Sequence, residues 1–187
     1  MALTQVAGGL IASGQTITSP TLSSPTINGT PVMGASVITS GTAVASTSGT
    51  SINFTSIPSW VKRITVMFLG VSTSGTSNYL IQGGAGSIEN TTYVSNANTN
   101  ANIAGSTIGF ILTGAGSAAD SQQGTFTMVS MGGNKWTSSH TLCRSDLAAT
   151  TYGAGTKTFS GTLDRIRITT VNGTDTFDAG SINILYE

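Results

Sequence analysis

The chain has 187 residues, enough for one sandwich-sized domain plus an extension but not for a second enzyme-sized domain. Charged side chains make up 7% of it, against about 25% in ordinary soluble domains, and seven basic residues cancel seven acidic ones. That balance provides no long-range field to recruit nucleic acid or an anionic membrane, so neither is an expected partner. No apolar run reaches the ~18 residues of a spanning helix.

From the start, Met1 to Ile11 has neither the basic region nor the long apolar core of a secretory signal, so synthesis in the cytoplasm without a cleaved leader is expected. The first ionisable side chain is Lys62, leaving the opening third uncharged. Within it, Ser19-Pro20-Thr21-Leu22 is echoed by Ser24-Pro25-Thr26-Ile27. Proline lacks an N–H and pushes its predecessor to extended conformations, while Thr and Ile prefer a pleated backbone. Residues 1–47 therefore read as an extended arm with a turn at Asn28-Gly29. Its apolar residues, among them the six Leu10, Ile11, Ile17, Leu22, Ile27 and Val32, are too thinly spread to bury one another. The arm is then either disordered or ordered against another chain. Regular apolar spacing without high net charge favours the second, with these six residues as the anchoring contacts.

From about Ser48 onward the pattern is alternating strand and turn. Candidate strands are Ile52 to Phe54, Ile64 to Leu69, Tyr79 to Gln82, Thr91 to Val94, Ile108 to Leu112, Thr125 to Met131, Lys135 to Cys143, Lys157 to Ser160, Arg165 to Val171 and Ser181 to Tyr186. The run at Ile64 puts Ile64, Val66 and Phe68 on one face and reads as a central strand. Gly132-Gly133-Asn134 and Asn172-Gly173 supply the positive φ of tight hairpins. Gly83 to Gly86 and Thr99 to Gly105 read as longer surface loops. Short strands between Gly, Asn and Ser clusters, with no 3.6-residue period, predict an all-β fold. It is expected as an antiparallel, jelly-roll-like β-sandwich head over residues 48–187, behind the extended N-terminal arm.

Residues able to do chemistry are few. His140 is the only histidine, and a lone histidine in a strand is more often packed than catalytic. Among the acids, Asp164 is expected to pair with Arg165, and Asp175 with Asp178 to bond loop backbone, or else to hold a calcium ion with loop carbonyls, though without a full calcium-loop pattern. Gly83-Gly84-Ala85-Gly86 lacks the Gly-Lys-Ser/Thr of a phosphate loop. Cys143 is alone, which excludes an intramolecular disulfide, and is expected to be a small buried or half-buried residue. No enzyme activity, cofactor or metal is expected. Trp60 and Trp136 are expected in the core, whereas Tyr79, Tyr93 and Tyr152, close to loops, are candidates for contact with a partner or a sugar ring.

Two blocks carry a resemblance. Ile57-Pro58-Ser59-Trp60-Val61-Lys62-Arg63-Ile64-Thr65-Val66-Met67-Phe68 continues through Gly70 to Gln82, and Ser160-Gly161-Thr162-Leu163-Asp164-Arg165-Ile166-Arg167-Ile168 continues through Asn172-Gly173 to Ile184. Together they resemble a C-terminal head module of tail-fibre and related virion structural proteins of tailed bacteriophages and prophages. The resemblance spans about residues 48–187 and is less clear over Gln82 to Tyr152. It implies a non-catalytic virion subunit, expected as a short trimeric fibre or spike. Its arm would bind a tail adaptor or the capsid, and Tyr79, Tyr93 and Tyr152 would be available to a host surface glycan. The alternatives are a capsid decoration or cement protein and, third, a polysaccharide-degrading tailspike.

Overall fold

A computed structural model of the chain describes residues 38–113 and 116–187. Among these residues there are fourteen strands and no helix. They are β1 (Thr39–Ser40), β2 (Val44–Ala45), β3 (Ile52–Thr55), β4 (Arg63–Thr73), β5 (Tyr79–Ala85), β6 (Ser87–Ile88), β7 (Val94–Thr99), β8 (Asn102–Ser106), β9 (Phe110–Ile111), β10 (Gln122–Gly132), β11 (Lys135–Arg144), β12 (Ala149–Thr158), β13 (Arg165–Thr170) and β14 (Phe177–Tyr186). The larger sheet runs β1-β14-β4-β10-β11-β12-β7-β8, with β2 also on β14. The smaller runs β3-β13-β5-β6, with β9 also on β5. Every pairing is antiparallel.

One apolar core draws on both sheets. Ile64, Val66 and Phe68 of β4, Phe126 and Met128 of β10, and Ile182 and Ile184 of β14 meet Ile166 and Ile168 of β13 and Ile81 of β5. The period of two places each set on one side of its strand, and burying each such side chain is worth roughly 1.5–3 kcal/mol. The strand at Ile64 is central, between β14 and β10, as its apolar alternation predicts. Trp136 is also in the core.

The alternation switches phase at one level of the larger sheet. Gly70 of β4 (φ 64), Gly124 of β10 (φ 132) and Gly180 of β14 (φ 90) all take left-handed backbone beside register shifts. A Cβ on Gly180 would overlap the Gly70 carbonyl oxygen, so the irregularity in β14 can seat against β4 only through glycine. Beyond it Val71 is buried, whereas Leu69 faces out.

Several expectations change. Strands β1 and β2, within the segment that reads as arm, extend the edge of β14, and buried Ser46 donates through Oγ to the Ala179 carbonyl at 2.8 Å. The earlier arm positions, including Leu10, Ile11, Ile17, Leu22, Ile27 and Val32, lie outside the described residues. Gly132-Gly133-Asn134 does close the β10–β11 hairpin. Asn172-Gly173 turns the chain but makes no hairpin, because β13 and β14 belong to different sheets and the turn carries the chain between them. Gly83 and Gly84 lie inside β5, not in a loop. A Cβ on Gly83 would be 2.7 Å from the Phe159 ring, and one on Gly84 would overlap the Ser87 carbonyl oxygen. The strand expected at Thr91 to Val94 starts only at Val94, because Thr92 takes positive φ and breaks the extended run before it. Thr99 to Gly105 is mostly the β7–β8 hairpin, whose two turn residues Asn100 and Ala101 both have positive φ, at 48° and 66°.

Candidate interaction face

On β11 the residues Trp136, Ser138, His140, Leu142 and Arg144 point inward, so Thr137, Ser139, Thr141 and Cys143 point out. Pairing carries that outward set across the sheet in rows. One row runs Asn183, Met67, Thr125, Thr141, Tyr152, Asn98, Ile103 across β14, β4, β10, β11, β12, β7 and β8. The next runs Leu185, Thr65, Thr127, Ser139, Ala154, Asn96, Gly105, and a third runs Arg63, Val129, Thr137, Thr156, Val94. Thr65 and Thr127 approach within 3.5 Å through their hydroxyls. Among the described residues of this face, charges stand only at the ends of the strands, with the Arg63–Glu187 ion pair and Lys135 at one end and Asp146 and Asp178 at the other.

This face also collects exposed apolar side chains. Ile103 is 72% exposed, Leu69 67% and Tyr152 57%, and Val94 and Val129 join them. Tyr152, Ile103, Asn96 and Asn98 line an open depression of about 430 Å³. The outward side of the smaller sheet differs chemically. It carries Arg165, paired with Asp164 at 2.7 Å, and Arg167, which donates to Asn53 at 3.1 Å.

The support beneath the face is specific. Gly153 of β12 lies between β7 and His140, and a Cβ there would overlap the Asn96 carbonyl oxygen and come within 2.5 Å of His140 Cε1. His140 is buried, and its bond to the Leu112 backbone does not offset the desolvation that lowers its pKa to about 4. Lys157, buried on β12, pairs with Glu89 at 2.9 Å and donates to the Thr91 carbonyl and the Thr92 hydroxyl, tying the segment before β7 to β12. Burial works to raise the Glu89 carboxyl, but hydrogen bonds from Lys157 and Ser160 outweigh it and hold the group below its ordinary range.

The three tyrosines expected at the surface separate. Tyr152 is outward, but Tyr79 and Tyr93 are each 1% exposed and lie in the core, so neither can touch a receptor. The Tyr93 hydroxyl bonds inside the fold. It accepts from the Gly83 N–H at 2.9 Å and lies 3.0 Å from the Glu89 carbonyl. That hydroxyl fills the stretch of the β5 edge between β9, which pairs at Leu80 and Ile81, and β6, which pairs at Gly84 and Ala85. Tyr79 donates to the Val71 carbonyl at 3.3 Å, and burial raises both phenols.

Two further expectations are corrected. Trp60 is 52% exposed, its ring 5.9 Å from that of Tyr186, because the Pro58 turn leaves it outside the sandwich. Cys143 is exposed, since on β11 it shares the outward phase of Ser139 and Thr141, not the inward phase of Leu142.

Asp120, Asp146 and Asp175 are engaged in holding the fold. Asp120, fully buried, accepts from Gln122 at 2.6 Å and lies 3.2 Å from Arg144 Nε, and Arg144 also pairs with Asp146 at 2.7 Å. Burial, only partly offset by Gln122 and Arg144, raises the Asp120 pKa to about 6. Asp175 accepts from the Ser77 N–H at 2.9 Å and from the Asn172 amide, so it bonds loop backbone as expected. Among the described residues no three His, Cys, Asp or Glu side chains are grouped as a metal site would require. Compared with protein-family models, curated proteins and solved structures, the chain matches none of them.

Proposed function

We propose that the chain is a non-catalytic structural subunit of a bacteriophage virion, a short fibre or spike whose uncharged arm attaches to the particle and whose sandwich heads associate, as a homotrimer. The observation that carries this reading is the continuity of uncharged chemistry. The opening sixty-one residues lack any ionisable side chain, and the outward rows of the nine-stranded sheet lack charge between their ends. Surfaces of this kind lose less hydration energy when covered than charged ones do, which suits lasting contact with other subunits. The resemblance of residues 48–187 to fibre head modules supports the same reading.

The experiment is a truncation placed by the structure. Removing residues 1–37 leaves β1 and β2 on β14, whereas removal through residue 47 would strip both. The 38–187 head is expected to remain folded and to be missing from particles assembled in its presence, while the full chain is incorporated. Normal incorporation of the truncated head would refute attachment through the arm. Imaging the full chain on intact particles separates a tail fibre from a capsid decoration protein, which the same chemistry would also serve.

A further inference from the structure

We infer that the uncharged outward face of the nine-stranded sheet, running from β14 to Tyr152, Asn98 and Ile103 at its β8 end, is the surface through which a second copy of this chain binds. The inference rests on the oligomeric part of the proposed function and assigns it a place. Four observations carry it. First, the face is large enough: six strand spacings of about 4.8 Å by seven residues of about 3.4 Å enclose roughly 700 Å², close to the ~800 Å² that each partner contributes to a standard stable interface.

Second, its composition shares the low charge of an interface core and includes exposed apolar side chains. Charge is confined to the strand ends, and Leu69, Val94, Val129, Ile103 and Tyr152 are distributed among hydroxyl and amide side chains. The smaller sheet's outward side carries Arg165 and Arg167. Third, the chemistry selects the partner. A charged surface would lose its larger hydration against this face with no counter-charge to replace it, whereas a surface of the same uncharged kind loses less and can return it through hydroxyl and amide hydrogen bonds. This chain, 7% charged, offers such a surface. Fourth, the face reaches the margin of the sheet at β8, where Ile103 is 72% exposed.

The test uses the full chain. Tyr152→Lys and Ile103→Lys are combined, both at positions where a monomer keeps the side chain in solvent, so folding tolerates the change. Val171→Lys, at an exposed position after β13, is the control. By light scattering after size exclusion, the native chain and the control are expected at a multiple of 18.9 kDa, and the double variant at 18.9 kDa with unchanged circular dichroism. The thiol of Cys143, exposed on this face in the single chain, provides a second readout. It should be modified more slowly in the native assembly than in the double variant. A native chain that is monomeric, a double variant that keeps the native mass, or a thiol equally reactive in both would each overturn the inference. A double variant that keeps its mass but abolishes particle adsorption to host cells would overturn it and assign Tyr152 to a receptor. Incorporation into particles is scored separately. A face that drives assembly in a chain absent from virions would sink the virion reading and leave the inference standing.

Discussion

Replacing Asp120 by asparagine should expose a pH dependence that the native protein conceals. Two buried groups titrate in opposite senses. His140 has its pKa lowered from 6.5 to about 4 by burial, so the unfolded chain binds the proton more tightly and acidification removes stability, beginning near pH 6.5 and complete below 4. Asp120 has its pKa raised from 3.8 to about 6, chiefly by burial, so the folded chain binds the proton more tightly and acidification adds stability, beginning near pH 6 and complete below 3.8. Between pH 7 and 4.5 each effect is worth about 2 kcal/mol, and the two nearly cancel. The carboxylates of Glu89, Asp146 and Asp164 are held low, so the stability they contribute is present above the ordinary carboxylate range and is lost only as the pH falls through their depressed values.

The assay is urea unfolding at pH 7, 6, 5 and 4.5, at one protein concentration because association shifts apparent stability. The native midpoint should change little. Asp120→Asn should lose about 2 kcal/mol on going from pH 7 to 4.5, roughly a 1 M fall in the urea midpoint for a slope near 2 kcal/mol/M. His140→Gln should gain a similar amount over the same interval. An Asp120→Asn profile parallel to the native one would refute the cancellation.

Two further outcomes follow from the packing beneath the face. Tyr93→Phe removes the hydroxyl that closes the β5 edge at Gly83, leaving a buried N–H without its partner. The expected loss is about 1–3 kcal/mol, read in a thermal melt as roughly 2–4 °C per kcal/mol. Gly153→Ala places a methyl group against the Asn96 backbone, which can yield only if β7 separates from β12. Stability should fall by about 1–3 kcal/mol or more, and amide exchange along β7 should quicken, whereas Gly161→Ala, whose new methyl would meet only Ala85 Cβ at 3.3 Å, should cost less.

Local chemistry is sufficient for much of the architecture. The alternation of Ile64, Val66 and Phe68 marks a central strand, and Gly132-Gly133-Asn134 marks a hairpin, because a pleat of period two and a positive φ are properties of adjacent residues. The pairing of Asp164 with Arg165 is likewise a matter of neighbours. The strand β7 and its hairpin to β8 are not legible in this way, since Asn, Ala, Gly and Ser dominate them and carry little strand preference.

The all-β class, the missing charge and the uncharged leading segment are therefore determined by the sequence itself. Only the tertiary structure decides which side of each strand is covered, because that depends on partners distant along the chain. It sends Tyr79 and Tyr93 inward and Tyr152 outward, and it parts β13 from β14 at Asn172-Gly173. Antiparallel register then aligns Asn98, Tyr152, Thr141, Thr125 and Met67 from five strands into one row, a neighbourhood that no local pattern contains.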